Sequence, residues 1–549
     1  MKIKNNLLFL LLFLALLLPL FDLLHPGLPI THDGKDHVAR IANFYRNLSE
    51  GNIIPRWAPD LNWGYGHPIL MFLYPLPSYT ASLFHFFGLS LIDSTKAVFG
   101  ISFVLSGLTM FLWARRLWGD IPGLAAAFLY AFAPYRFIDL YVRGAIGEHV
   151  AFIFPPLILY FLTRIAEKGN SRFSIIGGSL AVAGLMLSHN AISLMFYPLL
   201  ILYILFLFRS KKLNKTYLYK TVIVFIFGMG LSAFFWMPAF LEGKYTLRDK
   251  VSAGEYAKRF VQVKDFLYGS WNYGGTGQFT VQVGIVQWLA VIGAFILTLK
   301  LNLKKNPYRI FMIVLLLIFL FSLFIMSNLS APVWKIITTL QKFQFPWRFL
   351  SVTVFTTAVL GAVSLFLMPK RIQKYIFFLG LFFLLFLQKD YWHANNFLTL
   401  PDSFFQRTYY GTTDTGESAP IWSIRFMERP FKKEAEVVEG EGTITRTFRK
   451  STQHIYSIDA KTTARIRENT LYFPGWNVFV DGEVLPIDAV NFQDERHRGL
   501  MTYYVSPGKH MVNVQFGETK LRRLADIVSI LSVIGVLILL FLPKKLWLR

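Results

Sequence analysis

The chain has 549 residues, of which 54% are hydrophobic, 17% aromatic and only 16% charged, with a mean hydropathy of +0.45. That balance excludes an ordinary soluble globular protein, and equally disorder, collagen or a coiled coil. The net charge of +24 lies entirely outside residues 390–523, where 17 basic side chains balance 17 acidic ones, so a nucleic-acid partner is not implied. With no cysteine there is neither a disulfide framework nor a thiolate metal site.

Met1–Asn6 is short and basic, and Leu7–Leu24 is almost wholly apolar. A first membrane helix is expected rather than a cleaved leader, because Leu23-Leu24-His25-Pro26-Gly27 is a poor cleavage site. Apolar stretches near the roughly 20 residues that cross a bilayer follow at about 69–88, 97–113, 121–137, 149–166, 174–189, 191–208 and 219–238. Others lie at about 283–300, 308–328, 347–368, 373–389 and 524–543. The basic gaps around Lys2 and Lys4, 209–220, 300–309, Lys370–Lys374 and the tail Lys544, Lys545 and Arg549 face the cytoplasm by the positive-inside rule. This puts residues 25–68, 138–148, 239–282, 329–346 and 390–523 outside, which requires one stretch not to span. The segment 69–88, with Pro68, Pro75 and Pro77, is the expected exception. The expectation is therefore twelve crossings, both termini cytoplasmic, in the cell membrane.

Between 390 and 523 the pattern changes to short alternating runs, such as Thr443–Phe448, Trp476–Val480 and His510–Phe516. Pro474-Gly475, Asp481-Gly482 and Pro507-Gly508 punctuate them, which predicts an extracytoplasmic β-sandwich. The fold class is a polytopic α-helical membrane protein with about 12–13 helices and a C-terminal all-β domain. Its units are a membrane module at 1–240, a variable membrane region at 241–389, the β domain at 390–523, and a last helix with a basic tail at 524–549.

Three polar islands carry the candidate chemistry. The first loop reads Thr31-His32-Asp33-Gly34-Lys35-Asp36-His37-Val38-Ala39-Arg40, and from Asp36 the spacing of Val38, Ile41, Tyr45 and Leu48 predicts an amphipathic helix. Asp36 falls in its first turn, where the macrodipole favours an anion, and Asp33 precedes it as a cap or second acid. The second island is Tyr141-Val142-Arg143-Gly144-Ala145-Ile146-Gly147-Glu148-His149. Arg143 and Glu148 at a membrane boundary point either to function or to an ion pair tying two helices. The third is Ser188-His189-Asn190, where His189 is either a packing residue or a ligand contact. Arg56, His67, Lys244, Arg248 and Arg348 are candidate cations for an anionic group, Arg348 the best placed, with ordinary headgroup snorkelling as the alternative. Walker, HExxH and GxSxG motifs are absent from the sequence.

The layout resembles the GT-C superfamily of membrane glycosyltransferases, which use polyprenyl-linked sugars on the outer face. The resemblance rests on Asp36–Ser49 followed by Glu50-Gly51-Asn52, on Pro55-Arg56-Trp57 and Gly64-Tyr65-Gly66-His67-Pro68, and on Pro134-Tyr135 leading to Glu148. It implies Asp36 as catalytic base, Glu148 in a second acidic motif and His67 as a contact for the donor phosphate; Asp33 as an assisting acid and His37, Arg40, Arg56, Arg143, His189 and Arg348 as substrate contacts complete the candidate set. The chain departs from relatives that pair Asp directly with Glu, since Asp36 is followed by His37. The partners implied are a lipid-linked sugar donor, a glycan, lipid or protein acceptor, and the bilayer. The sequence fixes no cofactor; Asp33, Asp36 and Glu148 as an oxygen set would suit Mg²⁺ or Mn²⁺ rather than zinc. THDGKDH, the PRW and GYGHP strings and YVRGAIGEH are similar to a prokaryotic membrane family labelled as related to 6-pyruvoyl-tetrahydropterin synthase. The histidine triad of that soluble zinc enzyme is not evident here. Tyr472-Phe473-Pro474-Gly475-Trp476 and Val480-Asp481-Gly482 are similar to the terminal domain of bacterial membrane proteins that glycosylate surface polymers. The alternative functions are a lipid-linked sugar flippase or transporter, and a non-catalytic scaffold.

Overall fold

The computed structural model describes residues 2–167, 171–273, 279–301, 306–490 and 497–541. Lys304, Lys305, Lys544, Lys545 and Arg549, used above for orientation, lie outside the described residues. Among the described residues, eight helices are long and apolar enough to cross a membrane, beginning with Leu7–Leu24 and ending with Lys520–Phe541. Two bent pairs pass the same test only when taken together: Asp120–Ala131 with Pro134–Val142, at 49°, and Lys215–Leu231 with Ala233–Leu241, at 70°. Two shorter apolar helices, Arg172–Ser188 and Ile285–Lys300, complete the set of twelve expected segments. Residues 69–88 break into Ile69–Phe72 and Leu76–Phe86, with Pro68 and Pro75 as the residues before each helix. At about 1.5 Å per residue the longer piece covers about 16 Å, half of the roughly 30 Å hydrocarbon layer.

The bend after Ala131 has an identifiable cause. Pro134 opens a new helix, and Ile138–Val142 winds as a π-turn, with Arg143 N–H donating to Ile138 C=O at 2.7 Å. A buried apolar core lies around Leu91–Trp118 and Leu350–Phe366, the latter buried along nearly its whole length. The helices at the ends of the chain expose most of their apolar surface, as lipid-facing helices do.

The C-terminal domain is a pair of antiparallel sheets. β1 (Leu28–Pro29) pairs with β2 (Phe397–Leu398) and joins the first loop to the segment leading into the domain. β3 (Ala435–Glu439), β6 (Ala464–Leu471) and β9 (Leu500–Val505) form one sheet, in the order β3-β6-β9. β4 (Gly442–Lys450), β5 (Gln453–Ala460), β7 (Trp476–Val480), β8 (Glu483–Leu485) and β10 (Gly508–Phe516) form the other, in the order β4-β5-β10-β7-β8. Tyr456, Ile458, Ile466, Val478, Leu500 and Val512 are buried in one apolar cluster. Asp481 and Gly482 both take positive φ, as a two-residue hairpin between β7 and β8 requires. The sandwich strands begin only at Ala435. Residues 399–434, expected as part of it, form a largely irregular layer with one short helix, Asp402–Phe405, because their Gly, Thr and Pro content lacks the alternation of a strand.

The first loop holds the two halves together. Trp57 of Pro55-Arg56-Trp57 packs edge-on against Trp476 at 5.4 Å and beside Phe516 at 5.6 Å. Gly66, at φ +81°, lies so close to the Trp57 ring that any Cβ there would overlap it. Tyr65 C=O accepts from Leu471 N–H at 2.9 Å.

Candidate active site

The helix Gly34–Ser49 forms with Asp36 in its first turn; Val38 and Ile41 of the expected apolar face are buried and Tyr45 and Leu48 partly so, but Arg40, Asn43 and Asn47 are buried as well. Its N-terminus is docked on the second polar island. His32 N–H donates to Val142 C=O at 3.0 Å and Asp33 N–H to Arg143 C=O at 2.9 Å. This approach demands glycine at 144, where φ is +65° and a Cβ would overlap Thr31 Oγ1. Gly147 likewise leaves room for the Tyr74 ring, which stacks on His189 at 4.9 Å.

Glu148 is the centre of the cluster and is fully buried. Its Oε2 accepts from Tyr135 Oη at 2.8 Å and Arg143 Nη1 at 3.0 Å. Its Oε1 accepts from Arg143 Nη2 at 2.9 Å and Arg348 Nε at 3.0 Å, with His189 Nε2 at 3.9 Å. Arg143 Nη1 also donates to Asp139 Oδ1 at 2.7 Å. Arg348 Nη1 donates to Phe343 C=O at 2.7 Å, and its Nη2 has no protein partner among the described residues. The ion pair considered from sequence therefore exists, but as part of a larger set in which two guanidiniums share one carboxylate. Low-dielectric surroundings make such a set strongly orienting.

The irregular layer 399–434 covers the first helix. Tyr409 Oη donates to Asp36 Oδ1 at 2.6 Å. Arg40 Nε donates to Thr413 Oγ1 at 2.9 Å, its Nη2 to Thr413 C=O, and its Nη1 to His37 Nδ1 at 3.0 Å. Lys35 Nζ lies over the Phe404 and Tyr409 rings. Burial pushes the Asp33 carboxyl above the usual range, against the pull of Arg143 and Arg40. Burial, reinforced by Arg40, pushes the His37 imidazole well down, which keeps it neutral. Asp414 Oδ1 lies 3.5 Å from His67 Nε2, the edge of hydrogen-bond range, and accepts from Gly416 N–H at 2.8 Å. Burial would raise Asp414, but His67 and the Ser418 and Gly416 donors hold it below the usual carboxylate range.

The structure thus gathers Arg143, Glu148, His189 and Arg348 in one cluster, and docks Asp33, Asp36, His37 and Arg40 beside it. Arg56 is committed elsewhere. Its three guanidinium nitrogens bond Glu518 Oε1 at 2.7 Å, Asp526 Oδ1 at 2.8 Å and Phe234 C=O at 3.1 Å, tying the first loop to the last helix. His67 is fully buried, with Nε2 3.5 Å from Asp414 Oδ1. Asp33, Asp36 and Glu148 do not converge as three metal ligands: no group of three or more His, Asp or Glu arranged to hold an ion occurs among the described residues, and guanidiniums occupy both Glu148 oxygens. Tyr409, Thr413, Asp414, Asp139 and Tyr74 were not singled out from sequence. The Gly- and Thr-rich run 411–416 lies within the bounds expected for the β domain, but it lacks the alternation of a strand.

A multi-helix membrane protein with a buried carboxylate–arginine cluster at the end of its helices is the class that fold and site define. The chain belongs to the family of membrane proteins described as 6-pyruvoyl-tetrahydropterin synthase related domain, whose model matches residues 70–397. An uncharacterized protein of Lactococcus lactis subsp. cremoris (strain MG1363) is 25% identical over 335 residues, covering 58% of this chain and 51% of that protein. The chain therefore spans about half the length of the curated relative it matches. Among solved structures, arabinofuranosyltransferase AftD from Mycobacteria aligns at 15% identity and TM-score 0.43, over 71% of this chain and 27% of that one. ArnT from Cupriavidus metallidurans, bound to undecaprenyl phosphate, aligns at 11% identity and TM-score 0.30, over 73% and 90%. Likeness at this level leaves the functional argument to the site itself.

Proposed function

We propose that the chain is a membrane glycosyltransferase that moves a hexosyl or pentosyl group, with inversion, from a polyprenyl-phosphate donor to an acceptor hydroxyl outside the cytoplasm. The observation that carries this reading is the docking of Thr31–Asp33 on Val142–Gly144. It sets two carboxylates, Asp33 and Asp36, beside a cluster with two arginines. In the reaction Asp36 takes the proton of the acceptor hydroxyl, the oxygen bonds to the anomeric carbon, and the bond from that carbon to phosphate breaks. The phosphate leaves with the electron pair. Tyr409 holds Asp36 in register, and Arg348, with Nη2 uncommitted, and Arg143 supply positive potential for the departing phosphate. Asp33 and Glu148 act by placing the helix and the guanidiniums.

The placement outside the cytoplasm rests on one helix. Asn190–Ser210 starts beside His189 at the cluster and ends at Arg209, followed by Lys211, Lys212, Lys215 and Lys220. Twenty-one residues span about 30 Å, which supports opposite faces for the cluster and the basic loop, and the positive-inside rule favours the basic loop as the cytoplasmic one.

The test is transfer of radiolabelled sugar from defined polyprenyl-phosphate donors in proteoliposomes, with wild type and Asp36→Asn at equal folded amounts. Loss of transfer by at least about 100-fold in the variant is the expected result. Wild-type protein that transfers nothing but moves a lipid between leaflets overturns the reading in favour of a flippase.

A further inference from the structure

The C-terminal domain carries a groove of 980 Å³ that plays no part in the cluster above. One wall is the segment Ile424–Lys432, which continues directly from the layer covering Asp36; the other comes from β3, β6 and the residues before β9. Tyr65 of the first loop reaches it as well, and its ring meets Phe431 edge-on at 5.2 Å. The domain as a whole is electrically balanced, yet the groove is not. Among the described residues, Arg425, Arg429, Lys432, Arg467 and Arg498 line it against Glu428 and Glu436.

Two of these charges neutralise each other, because Arg467 Nη2 bonds Glu436 Oε2 at 2.9 Å. Arg425 is held by Thr415 C=O at 2.6 Å. Arg429, Lys432 and Arg498 are exposed and have no side-chain hydrogen bond or ion pair among the described residues. In the wall, Asn469 is 2% exposed; its Nδ2 is fixed on Lys433 C=O at 2.7 Å while its Oδ1 has no partner among the described residues. Arg467 Nε is buried and equally unpartnered. A buried acceptor and a buried donor left unsatisfied in the wall of a groove are costly unless a ligand, or ordered water, meets them. Apolar rings at the rim suit the C–H faces of sugar rings, an acceptor and a donor suit hydroxyls, and uncommitted cations suit anionic substituents.

We infer that this groove binds a polyhydroxylated anionic chain, a glycan carrying carboxylate or phosphate groups, and that this chain is the acceptor class of the proposed transferase. The inference rests on that reading for the word acceptor, but the binding itself does not require it. A flat anionic membrane surface would be met by exposed cations alone. It would not use a concave groove with a buried amide and a buried guanidinium Nε in its wall.

The test measures binding rather than transfer, so its failure is separable from failure of the transferase reading. Full-length protein in neutral detergent is titrated with fluorescent oligogalacturonate, with phosphomannan, and with dextran as the neutral chain. Anionic phosphatidylglycerol vesicles form a fourth arm. Binding of either anionic glycan, weakened about tenfold in R429E/R498E, weakened by salt and poorly competed by dextran, is the expected result. Which anionic chain binds better distinguishes carboxylate from phosphate. Asn469→Asp, which keeps the size of a buried side chain but adds a negative charge, is expected to weaken the anionic glycans more than dextran. Equal binding of dextran, no loss in R429E/R498E, or loss confined to the vesicles overturns the inference.

Discussion

Glu148 offers the sharpest test of how the cluster is held together. It is buried and accepts four hydrogen bonds, from Tyr135, twice from Arg143 and once from Arg348. Glu148→Gln keeps the shape but removes the charge, and turns an amide NH₂ toward groups that are themselves donors. Breaking a buried pair by removing one partner costs about 3–5 kcal/mol, and here the two guanidiniums would be left facing each other. Arg348→Met removes a partner that is 14% exposed and leaves Glu148 paired with Arg143, so it should cost less, about 1–2 kcal/mol. In the double variant the uncompensated Arg348 charge is gone, and the combined loss should fall short of the sum of the singles by about 1 kcal/mol or more. Equilibrium unfolding in mixed detergent–SDS micelles, followed by helical signal, reads all three. Additivity within about 0.5 kcal/mol, or a Glu148→Gln protein as stable as wild type, would refute the argument that Glu148 organises both arginines.

Other expectations follow from the same geometry. Gly144→Ala places a Cβ against Thr31 Oγ1 at φ +65°; about 1–2 kcal/mol of backbone strain should displace Asp33 and Asp36, lowering kcat in the transfer assay more than it raises KM. Tyr409→Phe removes the hydrogen bond to Asp36, and a loss of about 10- to 100-fold in transfer rate is expected from a charge-assisted bond of about 1.5–3 kcal/mol; an unchanged rate would show that Asp36 needs no such support. Arg56→Ala should lower stability through the orphaned Glu518 and Asp526 yet leave KM for donor unchanged in folded protein, whereas a raised KM would return Arg56 to the substrate. His37 and His454 are both held below the ordinary imidazole range, primarily by burial. The unfolded chain therefore binds more protons, and stability should decline as pH falls below about 6.5; thermal unfolding from pH 8 to 5 checks the sign, and a flat profile in His37→Gln/His454→Gln would assign the effect to these two.

Much of the architecture is written in local pattern. Long apolar stretches have one stable solution in a bilayer, since a helix satisfies its own backbone, and they were legible without any partner. So was the failure of 69–88 to form one helix, because Pro75 and Pro77 act on their own neighbours. The amphipathic helix after Asp33 and the hairpin at Asp481-Gly482 follow from spacing and from the conformations that Asp-Gly allows. Asp36, Arg143, Glu148, His189 and Arg348 could be named because charged and imidazole groups are rare at membrane boundaries. What joins them is not local. Glu148 and Arg348 are two hundred positions apart, and Asp36 and Tyr409 nearly twice that. Their meeting depends on a close backbone approach at Gly144 and on an irregular layer whose Thr- and Gly-rich sequence carries no periodicity. The same distance in sequence hid the fate of Arg56: an arginine in a polar loop looks identical whether it waits for a phosphate or closes on Glu518 and Asp526, and only the packing of the last helix against the first loop decides between them.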